Sequence, residues 1–156
     1  QDVLADYEGL TVILCGDVPL LKASTIKSLV DRHRECGAVV SVLTTSPPPP
    51  HAYGRIVKDY GGRVLKIVEH KDATAEERRI GEINTGIYCV DTKFLFEALK
   101  QVTNDNQQHE YYLTDIVEIA VREDRNVRTF FVEDYVEVMG INTLDELARA
   151  EKHLLA

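Results

Sequence analysis

Four polar residues of this chain stand at the ends of apolar, strand-like runs or interrupt them: Asp17, Glu69, Asn84 and Asn142. Asp17 follows the apolar run Thr11–Cys15 through a Gly-Asp-x-Pro turn. A short apolar run bounded by Gly and Pro predicts a strand buried on both faces of a parallel sheet. Ligands of open α/β sheets bind outside the carboxyl ends of the strands, so a carboxylate here is well placed for a metal or a substrate.

Each of these residues also fits a purely structural role. Asp17 can close its turn, Asn84 can bond to the backbone of an irregular strand, and Asn142 can cap the helix that follows. Gly54 can be needed simply because the backbone has a positive φ angle there. Glu69 begins a run of four charged residues, and such runs usually lie on a solvated surface. Taken singly, none of these residues decides between a structural and a functional interpretation.

The elements that must position these residues indicate an α/β fold with a mostly parallel sheet. The strand pattern at 11–15 is followed by a helical pattern over residues 23–36, which Gly37 ends, and by a second strand pattern at 38–43. Strand, helix and strand in this order form a βαβ unit, which implies parallel strands and a right-handed crossover.

A hairpin interrupts this alternation. Residues 55–58 and 63–69 flank the turn cluster 59–62, so we expect two antiparallel strands in an inserted lobe over residues 52–72. The run Pro47–Pro50 before it indicates a stiff connector. The remaining patterns predict a short helical turn opened by Thr74, a strand at 82–90, a helix capped by Asp91, a helix at 113–120, strands at 127–132 and 135–138, and a last helix opened by Thr143 and Glu146.

Composition narrows the class of protein. The chain has 156 residues, enough for one ordinary domain, and a net charge of −8, which argues against a nucleic-acid-binding surface. It has no apolar run of the roughly 18 residues that a membrane helix needs, and no signal-peptide pattern. Three cysteines without a C-x-x-C spacing indicate reduced thiols, so we expect a cytoplasmic protein.

Six motifs occur together in one order, and jointly they are much more specific than any one of them. They are Gly-Asp-Val-Pro-Leu, Tyr-Gly-Arg, Val-Glu-His-Lys-Asp-Ala-Thr, Glu-Ile-Asn-Thr-Gly, Glu-Tyr-Tyr-Leu-Thr-Asp and Gly-Ile-Asn. The series closely resembles the uridylyltransferase domain of the bifunctional N-acetylglucosamine-1-phosphate uridylyltransferase/glucosamine-1-phosphate acetyltransferase family. The resemblance runs from about Leu10 to the last helix. It implies a Rossmann-like nucleotidyltransferase fold.

The resemblance also implies a reaction. UTP and N-acetylglucosamine 1-phosphate would give UDP-N-acetylglucosamine and pyrophosphate, with Mg²⁺ held by Asp17 and Asn142. The backbone of Cys15, Gly16 and Asp17 would lie along the uridine, although Cys15 stands where some relatives carry a tyrosine. The sugar-binding residues would be Gly54, Glu69 and Asn84, with Tyr112 and Thr114 beside the acetamido group.

Two parts of that family's pattern are missing from these 156 residues: the Gly-rich loop with its basic residues, which cradles the triphosphate, and the hexapeptide-repeat acetyltransferase domain. We therefore expect a piece of a longer protein that lacks the first βαβ elements and is inactive alone. We expect the strand at 11–15 to present unpaired backbone or apolar surface, which a second chain would cover. The longer protein would trimerise through its acetyltransferase domain.

Two alternatives to this function remain. One is a nucleotidylyltransferase that acts on glucose 1-phosphate, which would share the Gly-Asp motif and the later metal ligand. The other is a non-catalytic sugar-nucleotide-binding or scaffold protein, which the Pro47–Pro50 run would also suit.

Overall fold

The computed structural model describes residue 4 and residues 7–155. The strands are β1 (Leu10–Ile13), β2 (Val40–Thr45), β3 (Arg55–Lys58), β4 (Val64–Val68), β5 (Ile83–Asp91) and β6 (Val127–Phe131). The helices are α1 (Ala23–Glu35), α2 (Thr92–Leu99), α3 (Asp115–Arg122) and α4 (Leu144–Leu155), and 3₁₀ turns span Glu77–Arg79 and Tyr135–Val138. Strands and helices are mixed along the chain, as the α/β prediction requires, although β2, β3 and β4 follow one another and α2 and α3 are consecutive.

The long strand β5 is the centre of a mixed sheet. β2 pairs along one edge of β5, while β1 and β3 share its other edge, β3 through the pair Arg55 and Ile83. β4 pairs with β3 in the predicted hairpin, and β6 pairs with β2. The order through the hairpin is therefore β4-β3-β5-β2-β6.

The expectation of a mostly parallel sheet needs correction. Among the strands of residues 7–155, only β2 and β6 pair in parallel, and the other four pairings are antiparallel. β1 and β2 do run in the same direction, as a βαβ unit demands, but β5 lies between them and runs the opposite way. A local strand-helix-strand pattern fixes relative direction and cannot show that a later strand inserts between the two.

Both faces of β5 are covered. Ile87 and Cys89 face a cluster that includes Leu29 of α1, whereas Tyr88 and Val90 face a cluster with Phe94 of α2. Because both faces are buried, β5 has a nearly continuous apolar sequence from residue 87 to residue 90. The polar Asn84 and Thr85 lie at its beginning, on the same end of the sheet where β1 and β2 finish.

Two further predictions were wrong in detail. β1 was expected to be buried on both faces, but all four of its residues are partly exposed and Leu14, just after it, is 51% exposed. Residues 135–138 were expected to form a strand and instead form a 3₁₀ turn. The Asp134 carboxylate caps this turn by accepting the N–H of Val136 at 3.2 Å, a local hydrogen bond that competes with strand formation.

The predicted helix ends are confirmed. Gly37 follows α1 with a φ of +60°, and Asp91 accepts the N–H of Phe94 at 2.9 Å at the start of α2. Before α4, the Thr143 hydroxyl accepts the N–H of Glu146 at 3.2 Å while the Glu146 carboxylate accepts the N–H of Thr143 at 2.9 Å. Among the described residues, none of the helices is both long and apolar enough to span a membrane.

Candidate functional site

Asp17 and Asn142 meet at Gly140. The N–H of Ile141 donates to the Asp17 carbonyl at 2.9 Å, which joins the loop after β1 to the loop before α4. A Cβ placed on Gly140 would lie 2.6 Å from Asp17 Oδ2 and 3.6 Å from Asn142 Nδ2. The structure thus brings both predicted metal ligands to one point, where both are exposed to solvent.

A buried carboxylate ties these two loops to the start of α1. Glu137, in the 3₁₀ turn before Gly140, forms an ion pair with Lys22 at 2.9 Å and accepts the hydroxyl of Thr25. Burial opposes ionisation, but the hydrogen bonds from Thr25 and Lys22 outweigh it and lower the pKa of Glu137. This contact holds residues 137–142 against the segment that follows Asp17.

Gly54, Glu69, Asn84 and Thr114 form a second cluster. The N–H of Asn84 donates to the Gly54 carbonyl at 2.9 Å, and a Cβ on Gly54 would lie 3.2 Å from Glu69 Oε1. The Thr114 hydroxyl donates to Glu69 Oε1 at 3.3 Å. The hairpin supplies the first two residues, β5 the third and the start of α3 the fourth. These four predicted sugar-binding residues therefore do lie together.

The Glu69 carboxylate is partly desolvated. Burial raises its pKa, the hydrogen bond from Thr114 opposes this, and the nearby Asp72 and Asp115 add to the rise. Such a carboxyl is a stronger hydrogen-bond acceptor for a ligand hydroxyl than a fully hydrated one, because water competes less for its oxygens. The Glu69 carboxylate can thus accept hydrogen bonds from the hydroxyl groups of a sugar.

Cys15 and Asn84 connect to each other through Gly86. The Cys15 thiol donates to the Gly86 carbonyl at 3.5 Å, and a Cβ on Gly86, whose φ is +79°, would lie 2.7 Å from that sulfur. The Asn84 side-chain oxygen accepts the N–H of Gly86 at 2.9 Å. Asn84 therefore does bond to its own strand, while Gly86 allows the loop after β1 to approach β5 closely.

Tyr112 lies at the rim of the second cluster. Its hydroxyl donates to Asp72 Oδ2 at 3.2 Å and accepts from Gln108 Nε2 at 2.7 Å. The structure thus places Thr114 against Glu69 and directs the Tyr112 hydroxyl to the neighbouring Asp72. Of the pair predicted beside the acetamido group, only Thr114 contacts the other predicted sugar-binding residues.

Two residues of the site escaped the sequence argument, Tyr53 and Arg55. Tyr53 lines the groove beside Asn142, where burial raises the pKa of its phenol and the carboxylates of Glu146 and Asp17 add to this. Arg55 is 3% exposed, and its guanidinium donates to the backbone carbonyls of Tyr53, His51 (3.4 Å) and Arg78 (3.5 Å). The Tyr-Gly-Arg motif contained both residues, but nothing in it distinguished their roles.

The metal-binding capacity of the site rests on oxygen atoms. Residues 7–155 contain no group of three His, Cys, Asp or Glu side chains that could hold a metal ion as a protein cage. Asp17 and Asn142 provide one carboxylate and one amide oxygen at a solvent-exposed point. Mg²⁺ is usually bound in this way, by one or two carboxylates, with phosphates and waters completing the octahedron.

An open groove of about 380 Å³ adjoins this point. It is lined by residues of the proline connector, by Tyr53 and by Asn142. Its size lies within the range of small-molecule sites, which run from about 300 to 1,000 Å³. The Pro47–Pro50 run thus lies close to the candidate site.

The family model described as "Nucleotidyl transferase" matches residues 1–152. The bifunctional protein GlmU of Geobacter sulfurreducens is 50% identical over 152 residues, which cover 96% of this chain and 32% of that protein. GlmU proteins of Oceanobacillus iheyensis (48% over 152 residues) and Listeria monocytogenes (50% over 149 residues) match in the same way. The chain spans about a third of the length of these curated relatives.

A solved structure shows the same fold. The crystal structure of a Bacillus anthracis protein assigned as a glucose-1-phosphate thymidylyltransferase, in complex with sucrose, has a TM-score of 0.70 and 20% identity; it covers 97% of this chain and 56% of its own. The GlmU relatives confirm the resemblance that the six ordered motifs carry. By its family match and by these relatives, the chain belongs to the nucleotidyl transferase family.

Proposed function

We propose that this chain provides the metal-binding and sugar-binding side of a uridylyltransferase. The reaction is the Mg²⁺-dependent transfer of UMP from UTP to N-acetylglucosamine 1-phosphate, which yields UDP-N-acetylglucosamine and pyrophosphate. The observation that carries the proposal is the meeting of Asp17 and Asn142 at Gly140, beside a separate cluster built on Glu69. Phosphoryl transfer requires such positioning more than covalent catalysis by protein groups.

The two clusters divide the substrates between them. Glu69 accepts hydrogen bonds from hydroxyl groups of the sugar, and Thr114 orients the Glu69 carboxylate. The backbone of Gly54 lies against the sugar. The sugar phosphate is thereby held with an oxygen in line with the bond to the departing pyrophosphate. Asp17 and Asn142 hold Mg²⁺, which when bound neutralises charge on the phosphates.

The described part of the site has little of the positive charge that a triphosphate needs, since Arg149 in the groove beside Asn142 is accompanied by Glu146. Asp17 and Glu69 are acidic, Asn84 and Asn142 are neutral, and the whole chain carries a net charge of −8. A transferring triphosphate needs cationic groups beside the metal. We therefore propose that basic residues outside these 156 residues complete the site, and that the purified chain alone forms no measurable UDP-N-acetylglucosamine.

A chimera tests the proposal directly. This chain replaces the matched 152-residue region of the Geobacter sulfurreducens GlmU relative, and formation of UDP-N-acetylglucosamine and pyrophosphate is measured with UTP and Mg²⁺. We expect activity in the chimera and a loss of at least about 100-fold on Asp17→Asn, since one metal ligand is weakened. Asp145→Asn, which removes an exposed carboxylate in the first turn of α4, is the matched control and should retain activity.

Two outcomes would contradict the proposal: a folded chimera without activity, or activity that Asp17→Asn leaves unchanged. The same assay decides between substrates. Glucose 1-phosphate in place of N-acetylglucosamine 1-phosphate should react at least about tenfold more slowly, because contacts to the acetamido group are lost. Equal rates would favour the glucose-1-phosphate alternative, and binding of the sugar nucleotide without turnover would favour the scaffold alternative.

A further inference from the structure

A second groove, of about 390 Å³, lies at the end of the sheet opposite the candidate site. It is formed by the turn of the β3–β4 hairpin, by the segment after α3 and by the first residues of β6. Val127, at its edge, pairs with Val40 of β2. Thr44, near the other end of β2, pairs with the site residue Asn84. Four residues of extended strand separate these positions by about 13 Å.

Three arginines line this groove: Arg63, Arg125 and Arg128. All three are exposed, and within residues 7–155 none of their guanidinium groups forms an ion pair with a carboxylate. The one carboxylate that lines the groove belongs to Asp124. The carboxylate of Asp59, in the adjacent turn, accepts hydrogen bonds from the backbone N–H groups of Gly61 and Arg63, at 2.9 Å each.

With three cations and one carboxylate, the lining of this groove is positively charged, although the chain has a net charge of −8. Guanidinium groups bind phosphate oxygens in a bidentate manner, and several of them in one groove can bind more than one phosphate group. The groove is large enough for a ligand of that size, since small-molecule sites begin at about 300 Å³. No residue of the candidate site lines it.

We propose that this arginine groove binds a diphosphate-bearing small molecule, either free pyrophosphate or the phosphate chain of a nucleotide. Arg63 and Arg128 line the groove from two different elements, the hairpin turn and β6. Arg125 has an additional packing role, because its guanidinium lies 5.8 Å from the centroid of the Phe94 ring. The proposal does not depend on the reaction assigned to the other end of the sheet.

The test is a titration of the 156-residue chain with inorganic pyrophosphate, in buffer without divalent cations, followed by amide chemical shifts. We expect saturable changes in the amide chemical shifts of Gly61, Gly62 and Val127, which line the groove. The changes at Gly16 and Asn84, in the candidate site, should be smaller. The double variant Arg63→Gln/Arg128→Gln should bind pyrophosphate at least about tenfold more weakly. The control Arg34→Gln/Arg79→Gln removes the same charge from exposed positions outside the groove and should bind within about twofold of the unaltered chain.

Two further ligands identify what the groove recognises. Inorganic phosphate should bind more weakly than pyrophosphate, and UTP compared with pyrophosphate shows whether a nucleoside adds to the affinity. The proposal is overturned if pyrophosphate causes no saturable shift below about 1 mM. It is also overturned if shifts cluster only around Asp17, if both double variants weaken binding equally, or if phosphate binds as tightly as pyrophosphate.

Discussion

The α-carbon of Gly54 faces the carboxylate of Glu69 so closely that a methyl group added to it would lie 3.2 Å from Oε1 and 3.3 Å from Oε2. On the other side, the same methyl group would lie 3.1 Å from Cγ2 of Ile67. The two residues thus border a narrow space in which backbone and carboxylate approach each other directly. A sugar that binds to Glu69 must lie against the backbone at Gly54.

Gly54→Ala should therefore weaken binding of the sugar substrate. The added methyl group displaces either the carboxylate or the ligand, and we expect the KM for N-acetylglucosamine 1-phosphate in the chimera to rise about tenfold. The KM for UTP should change much less. Gly81→Ala is the control, because its methyl group would meet only the hydroxyl of Ser46 at 3.0 Å. Equal rises in both KM values on Gly54→Ala would count against the sugar assignment.

Glu69→Gln should stabilise the fold while it impairs the site. Since burial raises the pKa of Glu69 in the folded chain, ionisation near neutral pH favours the unfolded state, and stability falls as pH rises above the ordinary value of 4.5. The uncharged amide removes this penalty, so the free energy of unfolding at pH 7 should rise by roughly 1 kcal/mol. Urea unfolding at pH 7 and pH 4 checks this; the gain should shrink at pH 4. A gain that is the same at both pH values would show that ionisation of Glu69 is not its cause.

Arg55→Met should destabilise the chain by about 2–3 kcal/mol, because three backbone carbonyls lose a buried donor. Arg55→Lys keeps the charge but not the forked geometry, so it should recover less than half of that loss. Arg79→Met, at an exposed position in the neighbouring 3₁₀ turn, should change stability by less than about 0.5 kcal/mol. Urea unfolding of all three variants provides the measurement, and full recovery by lysine would show that charge alone matters at this position.

His33 should make the chain less stable as the pH falls from 7.5 to 5.5. This histidine is 2% exposed, and its Nδ1 lies 2.7 Å from the hydroxyl of Ser41. Burial lowers its pKa, Arg34 contributes further, and Asp91 opposes the shift. The unfolded chain therefore takes up a proton near pH 6.5 that the folded chain resists, so stability is complete above that pH and is lost below it.

His33→Gln tests this origin, because the amide can still bond to Ser41 but does not titrate. The loss of unfolding free energy between pH 7.5 and pH 5.5 should be smaller than in the unaltered chain by about 1 kcal/mol. His153→Gln, which changes an exposed histidine 3.6 Å from Asp134, should leave the loss nearly unaltered. A pH dependence that survives His33→Gln unchanged would exclude this residue as its source.

The local signals of the sequence were sufficient for most of the elements. Some hydrogen bonds join residues only three or four positions apart, so they can be predicted from the sequence itself. Examples are the caps formed by Asp91 and Thr143 and the turn before Arg63. The 3₁₀ turn at residues 135–138 was missed because alternating Val and Glu also suit a strand. What could not be predicted was the insertion of β5 between β1 and β2, since strand order depends on contacts far apart in sequence.

In the candidate site, too, some features followed from the sequence and others depended on contacts far apart in the chain. The ordered motifs, through the family resemblance, grouped Asp17 with Asn142 and Glu69 with Asn84. They did not show which contacts bring each group together, because no single motif records the distance between loops. Gly140 decides how closely Asp17 and Asn142 approach, and its role depends on the absence of a Cβ at that one position. Arg55 could not be recognised either, because an arginine in a short strand is usually exposed.

The central position of β5 gives the two ends of the candidate site different amide exchange behaviour. Residues 88–90 of β5 lie between β1 and β2 and between two apolar clusters, so their N–H groups exchange with solvent deuterium only when the whole fold opens. α4, which follows Asn142, has one buried residue, Ala150, and can detach in a local opening. We therefore expect the cluster around Glu69 to stay fixed, whereas the segment around Asn142 opens more readily while the sheet remains intact.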